Sequence, residues 1–262
     1  VLIAGIDLAW GEKAGDGVCL VEYRGGGGGN GTPRALVLRH AHLFGDEALL
    51  ACLAEGEARV AEAGGGGGDG GAFLAFDAPM VCVNETGRRP VDAQVSATFR
   101  AQHAGCYPVN TRLAPRPLRL ARRLNEERGF ALDFGFGGRR AAEVFPHPAL
   151  VRFLGLKKII EYKRKPKRSR AHCEAEFARL RVGVGGLLRT HFPWLETGPE
   201  TAALLEQKWS KPVEDQVDAL VCALIGLWHV RHAGRRSEVF GDAATGFVVV
   251  PDAGSGTGEA RV

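Results

Sequence analysis

Residues 212–230, PVEDQVDALVCALIGLWHV, constrain most what this chain can fold into. Beyond Asp218 the run is almost wholly apolar, and a helix of that kind is stable only when other elements bury it. Its head carries Asp215 and Asp218, three apart and therefore neighbours on one helical face. Capping explains part of this. Pro212 suits a first turn, where its missing N–H has no partner to lose, and Glu214 and Asp215 meet the positive end of the helix dipole. Asp218 is different: it lies beside Ala219, Leu220 and Cys222, where a carboxylate is costly unless it is paired or holds a cation.

Something must cover that helix, and the rest of the chain supplies a sheet. Leu2–Ile6 is an apolar run ending at Asp7, and Gly17–Tyr23 and Arg34–His40 read as two further strands. The low-complexity run at 25–31 reads as the hairpin loop between them. Asp46–Ala63 reads as a helix ended by the glycines at 64–71. Neither glycine run has the G-K-[ST] ending of a phosphate loop, so both read as spacers. Ala72–Phe76 is a fourth strand leading into Asp77-Ala78-Pro79, and Ala141–Phe145 a fifth, broken by Pro146. Between these two, residues 80–140 form a helical insertion, with helices expected at Val91–His103 and Pro117–Arg128. Helices are expected again at Pro148–Leu154, around Ser169–Arg181, around Glu200–Gln207 and at Val213–Arg231. Strands at Ser237–Phe240 and Gly246–Val250 close the fold, and the residues from 252 onward read as a tail. Three hairpin-connected strands followed by alternating strands and helices predict an α/β domain over residues 1–251: a mixed five-stranded sheet with helices on both faces.

Composition, 45% apolar and 24% charged, suits a globular chain with a sizeable core. The longest apolar run, Ala219–Val230, is too short to span a bilayer. The opening VLIAGIDLAWG has no basic leader and reads as a strand, not a signal peptide. Six cysteines without a C-x-x-C pair suit thiols in a reducing cytoplasm better than a zinc site or a disulfide framework. Charge is unevenly placed. Residues 157–170, KKIIEYKRKPKRSR, hold eight Lys or Arg against one Glu, a local +7 in a chain whose total is +4, so the remainder carries −3. A second stretch, Thr111–Leu124, has five Arg and no acid. Concentrated positive charge of this kind suits a phosphate backbone, DNA or RNA, the alternative being a solvated loop or helix face.

Asp7, Asp77, Glu143 and the pair Asp215/Asp218 each follow or interrupt an apolar run, where packing alone does not call for a charge. Mg²⁺ or Mn²⁺ takes oxygen ligands and keeps several waters, so a few carboxylates converging from different elements suffice to hold it. Two such ions about 4 Å apart can activate a water and stabilise the leaving oxygen of a phosphodiester. Clustered acids would otherwise repel one another.

The β-β-β-α-β order, with Asp7 ending the first strand and D-x-x-D-A-L on a late helix, resembles the ribonuclease H-like fold. That helix motif is similar to the one in Holliday-junction resolvases. GIDLAWG, FDAP, EVFPHPAL, YKRK, EDQVDALVCAL and GFVVVP together resemble the DUF429 family of predicted nucleases over residues 1–251. The resemblance implies a metal-dependent nuclease with Asp7, Asp77, Glu143 and Asp215 or Asp218 as ligands. The acid that ribonuclease H proper carries on its first helix has no assigned counterpart in Glu47 or Glu55.

Among smaller candidates, Lys163, Arg164, Lys165 and Lys167 would contact substrate phosphates or stand solvated, and His147, four residues after Glu143, would orient a water or phosphate or serve as a structural loop residue between two prolines. Tyr162 and Trp209 suit base stacking or, without a register to place them, core packing and loop anchoring. His103 and Cys106 carry no sign of an activated pair. Two other functions compete: a non-catalytic nucleic-acid-binding module on the same fold, and an actin-like ATPase or kinase. The latter needs a hydroxyl residue after its GIDxG, where this chain has Leu8-Ala9-Trp10-Gly11.

Overall fold

The computed structural model describes residues 1–25, 33–63 and 71–254. The runs read as hairpin loop, spacer and tail thus fall largely outside the described residues, at 26–32, 64–70 and 255–262. Strands β1 (Leu2–Asp7), β2 (Asp16–Arg24) and β3 (Arg34–Leu43) form an antiparallel meander. Helix α1 (Asp46–Ala63) then carries the chain back to β4 (Ala72–Phe76), parallel to β1. The insertion holds α2 (Pro90–Thr98) and α3 (Pro115–Arg128) and leads to β5 (Arg139–Glu143), parallel to β4. There follow α4 (Pro146–Leu154), α5 (Arg170–His191), β6 (Leu195–Glu196), α6 (Gly198–Glu206) and α7 (Lys211–Arg231). The strand order is β5-β4-β1-β2-β3-β6.

The fold is α/β, as the strand and helix pattern predicts, but the sheet has six strands and not five. Strand β6, two residues long, pairs with Ala35 and Leu36 of β3 and is too short to show a period in sequence. Helix α5 continues to His191 through Gly183, Gly185 and Gly186, beyond the expected end near Arg181. Gly183 is used for packing: a Cβ there would stand 2.8 Å from a methyl of Leu154. Helix α2 stops at Thr98, short of His103, which itself has a left-handed φ of 60°. The last two strands, β7 (Ser237–Asp242) and β8 (Gly246–Pro251), pair with each other as a separate ribbon, joined to the end of β5 by one bridge, Val144 to Val249.

Period-two alternation divides the sheet's side chains between two cores. Ile3, Phe73, Ala75 and Ala142 face α7, α4 and α5, while Leu2, Ile6, Leu74, Phe76 and Ala141 face α1 and α3. Helix α7 is buried from Val213 to His229 except at Gln216, so the apolar run is enclosed as its composition demands. Two glycines allow it to lie almost on the strands. A Cβ on Gly5 would fall 2.0 Å from the Ala219 carbonyl oxygen, and one on Gly17 1.9 Å from that of Asp215. Among the described residues, no helix is long and apolar enough to cross a membrane.

Candidate functional site

Asp7 ends β1, and Asp77 follows β4 with its amide donating to the Ile6 carbonyl at 2.8 Å. Both continue the parity of Gly5 and Ala75, the face on which α7 lies. Because Asp7 is paired with Gly17, which admits the α7 backbone, the head of α7 sits directly over Asp7. Asp7, Asp77 and Asp218 are thereby drawn together, close enough to repel one another. Burial, opposed by Lys163 and reinforced by Asp218 and Asp77, raises Asp7 well above the usual carboxylate range. Burial likewise lifts Asp77 to about 6, again against Lys163.

Lys163 stands between the acids. Its Nζ lies 2.8 Å from Asp218 Oδ2 and 3.6 Å from Asp77 Oδ2, with only 25% of the side chain exposed. Burial works against its charge, but Asp218, with Asp7 and Asp77, holds its pKa well above the ordinary lysine value. Asp218 is fully buried. Its Oδ1 accepts a 2.6 Å hydrogen bond from the Tyr162 hydroxyl, whereas Oδ2, ion-paired to Lys163, accepts no hydrogen bond. Burial and the neighbouring Asp218 raise the Tyr162 pKa, so Tyr162 is a donor to Asp218 and not a base-stacking surface. Among the described residues, no three His, Cys, Asp or Glu side chains are drawn tightly enough together to hold one ion as they stand.

Asp215 is spent differently. It accepts from Lys211 and lies 3.3 Å from His42 Nε2, on the flank of the cluster. Glu214 receives the Trp209 indole N–H at 2.8 Å and Lys211 at 3.0 Å, which makes Trp209 a loop anchor.

Glu143 reaches the same cleft but not the same cluster. Its Cα is in register with Phe76, one residue before Asp77, so its parity is that of the opposite face. Both its oxygens are held by Arg89, at 2.7 Å each. Asp92 holds the other edge of that guanidinium at 2.8 Å. Burial pushes Glu143 up to about 7 even with Arg89 pulling down. Arg89 and Asp92 carry no sequence signal beyond being one Arg and one Asp three apart at a helix start.

A cavity of about 230 Å³ opens over these groups, with Asp7, Asp77, Lys163, His147, Lys165 and Tyr107 in its wall. Burial and the nearby Lys163 lower His147 to about 3, so it is neutral, its ring 5.5 Å from that of Tyr162. Lys165 lies 5.0 Å over the exposed Tyr107 ring.

The two basic stretches separate sharply. In 111–124 three of the five arginines pair closely, while Arg112 meets Glu85 only at 3.6 Å on the surface and, among the described residues, no carboxylate lies within ion-pair reach of Arg122. Arg116 is buried against Asp16 and Asp46, Arg119 meets Glu12 and Asp46, and Arg123 meets Glu47 and Glu127. Arg116 is thus structural, whereas Arg112 and Arg122 stay exposed. In 157–170, Lys158 and Arg168 pair with Glu161, and Arg170 with Glu174. Among the described residues, no carboxylate lies within ion-pair reach of Arg164, Lys165 or Lys167.

The sequence profile described as "Protein of unknown function (DUF429)" matches residues 5–245. The chain belongs to that family. No curated protein and no solved structure matches it.

Proposed function

We propose that this protein is a metal-dependent nuclease that hydrolyses phosphodiester bonds in nucleic acid, with Asp7, Asp77 and Asp218 as the ligand set for Mg²⁺ or Mn²⁺. One observation carries this reading: three convergent carboxylates, Asp7 and Asp77 in the cavity wall and Asp218 buried behind Lys163, surround a single ammonium, a formal −2 when all are ionised. Such an excess is costly unless a cation joins it. The donor set fits a hard divalent ion, being all carboxylate oxygen and open on the cavity side. The buried Asp218 Oδ2, which accepts no hydrogen bond, is a lone pair that the fold has left for it. The meander with parallel crossovers, Asp7 at the end of β1 and Asp218 on a helix laid over it, also fits the ribonuclease H-like arrangement.

A bound divalent ion would supply a nucleophilic water at neutral pH and charge stabilisation of the leaving oxygen. The chain's own groups do the rest. Tyr162 fixes the rotamer of Asp218, so that Oδ2 is presented in one direction. Lys163 places positive charge where a phosphoryl oxygen would lie, and Lys165, with Arg164 and Lys167 beside it, would draw the nucleic-acid backbone to the cavity mouth. Asp215 shares Lys211 with Glu214 and secures the head of α7. Glu143, with both oxygens on Arg89, acts as a strut in the cleft wall.

The binding-module reading has its own support, because Lys163 already partly neutralises the acids. Cleavage separates the two. Purified protein with Mn²⁺ should cut single-stranded, double-stranded or branched substrates, and chelation should abolish cutting. Binding without cleavage of any substrate, together with a melting point indifferent to Mn²⁺, would leave the binding module as the function.

A further inference from the structure

Lys163 stands where the charge of a metal ion would be expected, and its setting is fixed. Its Nζ bridges Asp218 Oδ2 and Asp77 Oδ2, as an ion shared between two carboxylates would. Its backbone carbonyl accepts from Arg168 Nη1 at 3.0 Å, and the preceding Tyr162 is buried with its hydroxyl on Asp218. The backbone that carries the ammonium is therefore held on both sides, unlike the exposed side chains of Arg164 and Lys167 that follow.

We propose that Lys163 permanently takes the place of one of two metal ions, so that the site loads a single divalent ion. The proposal rests on the metal-dependent nuclease reading and gives it a stoichiometry. With all three ionised, as ion ligands must be, Asp7, Asp77 and Asp218 carry −3 and Lys163 +1, so one divalent ion makes the floor neutral. A second would leave it at +2, with an ammonium in the position the ion needs. Asp215 is engaged elsewhere, because it shares Lys211 with Glu214 and faces His42. Asp218 Oδ2 lacks a hydrogen-bond donor, and the ammonium beside it is off the line a hydrogen bond requires. The oxygen can thus serve the ion while Lys163 stays in place.

The test counts Mn²⁺ on the full-length protein, by calorimetric titration and by the electron paramagnetic resonance spectrum of the bound ion. The wild type should bind one Mn²⁺ per chain and show an isolated-ion spectrum. Lys163→Met keeps the length of the side chain and removes its charge, and should bind two, with an exchange-coupled spectrum. Arg164→Met, next in sequence but solvated, should still bind one. Two ions in the wild type would overturn the proposal while leaving the nuclease reading intact. A single ion in a cooperatively melting Lys163→Met would also overturn it. No bound ion in the wild type would overturn the metal reading itself. Lys163→Gln, which can hydrogen-bond Asp218 without charge, carries the same comparison if the methionine variant does not fold.

Discussion

Three cations, Arg89 and Arg116 buried and Lys163 half-buried, meet clusters of carboxylates near this end of the sheet, and they do so in two different ways. Arg89 between Asp92 and Glu143, and Arg116 between Asp16 and Asp46, use planar forks that saturate the oxygens around them. Both Glu143 oxygens accept at 2.7 Å, and the two Asp92 oxygens accept from Arg89 and from the Arg89 and Val109 amides. Asp16 accepts from Arg116 and from the Ala9 amide, which fixes the loop that follows Asp7. Lys163 is a compact point charge among three acids. It saturates none of them, and it leaves Asp218 Oδ2 buried without a hydrogen bond. Guanidinium forks lock carboxylates into structure, whereas an ammonium leaves lone pairs for something else.

The largest effect that could break this contrast concerns Asp218. Asp218→Asn keeps shape and the Tyr162 hydrogen bond but removes the charge. Cleavage with Mn²⁺ should fall by more than about 100-fold, the upper range for losing even an outer-sphere partner of a metal. The melting point in metal-free buffer should hold or rise as repulsion with Asp7 and Asp77 is relieved. A variant as active as wild type would remove Asp218 from the chemistry.

Next is the Arg89 cluster. Arg89→Met strands Asp92 and Glu143 without their shared cation and should cost about 3–5 kcal/mol in urea unfolding, with no recovery on adding Mn²⁺. Lys163→Met should also destabilise the apoprotein, but Mn²⁺ should restore it. Equal behaviour of the two variants towards Mn²⁺ would erase the distinction between structural and functional clusters.

Gly5→Ala tests how the site is assembled. The added methyl meets the backbone of α7 at Ala219 and Ala223, so the helix must move away from β1. Overpacking of this kind costs about 1–3 kcal/mol or more, seen as a lower urea midpoint. Mn²⁺ affinity should weaken in parallel, because Asp218 retreats from Asp7; unchanged affinity would mean that helix approach does not set the site.

The smallest effect lies on the surface. Changing Arg164, Lys165 and Lys167 together to Gln should reduce the slope of log K against log salt for duplex DNA by about 0.9 for each phosphate that is no longer neutralised. The same change at Arg119 and Arg123 should leave the slope where it was. A slope indifferent to the first set would return residues 164–167 to the status of a solvated loop.

The sequence alone determined the element types. Short apolar runs marked β1 to β4, an acid ended β1, and the apolar stretch after Asp218 demanded a covering sheet. These are local signals, carried by neighbours two, three or four residues apart. It also showed that Asp218 lay too deep in its helix to be a cap. What it could not settle was which acid meets which cation, since that depends on register and on approach between distant elements. Glu143 and Asp77 look alike in sequence, each at the end of an apolar strand. One residue of register in the β4–β5 pairing turns them to opposite faces, and Arg89, 54 residues from Glu143, claims the first. Likewise Arg116 and Lys163 both stand in basic runs. Only the folded chain buries one against Asp16, 100 residues away, and lays the other between Asp77 and Asp218. Charge is written in the sequence, but its compensation is a tertiary property, because buried ions are stabilised by whatever the packing brings within reach.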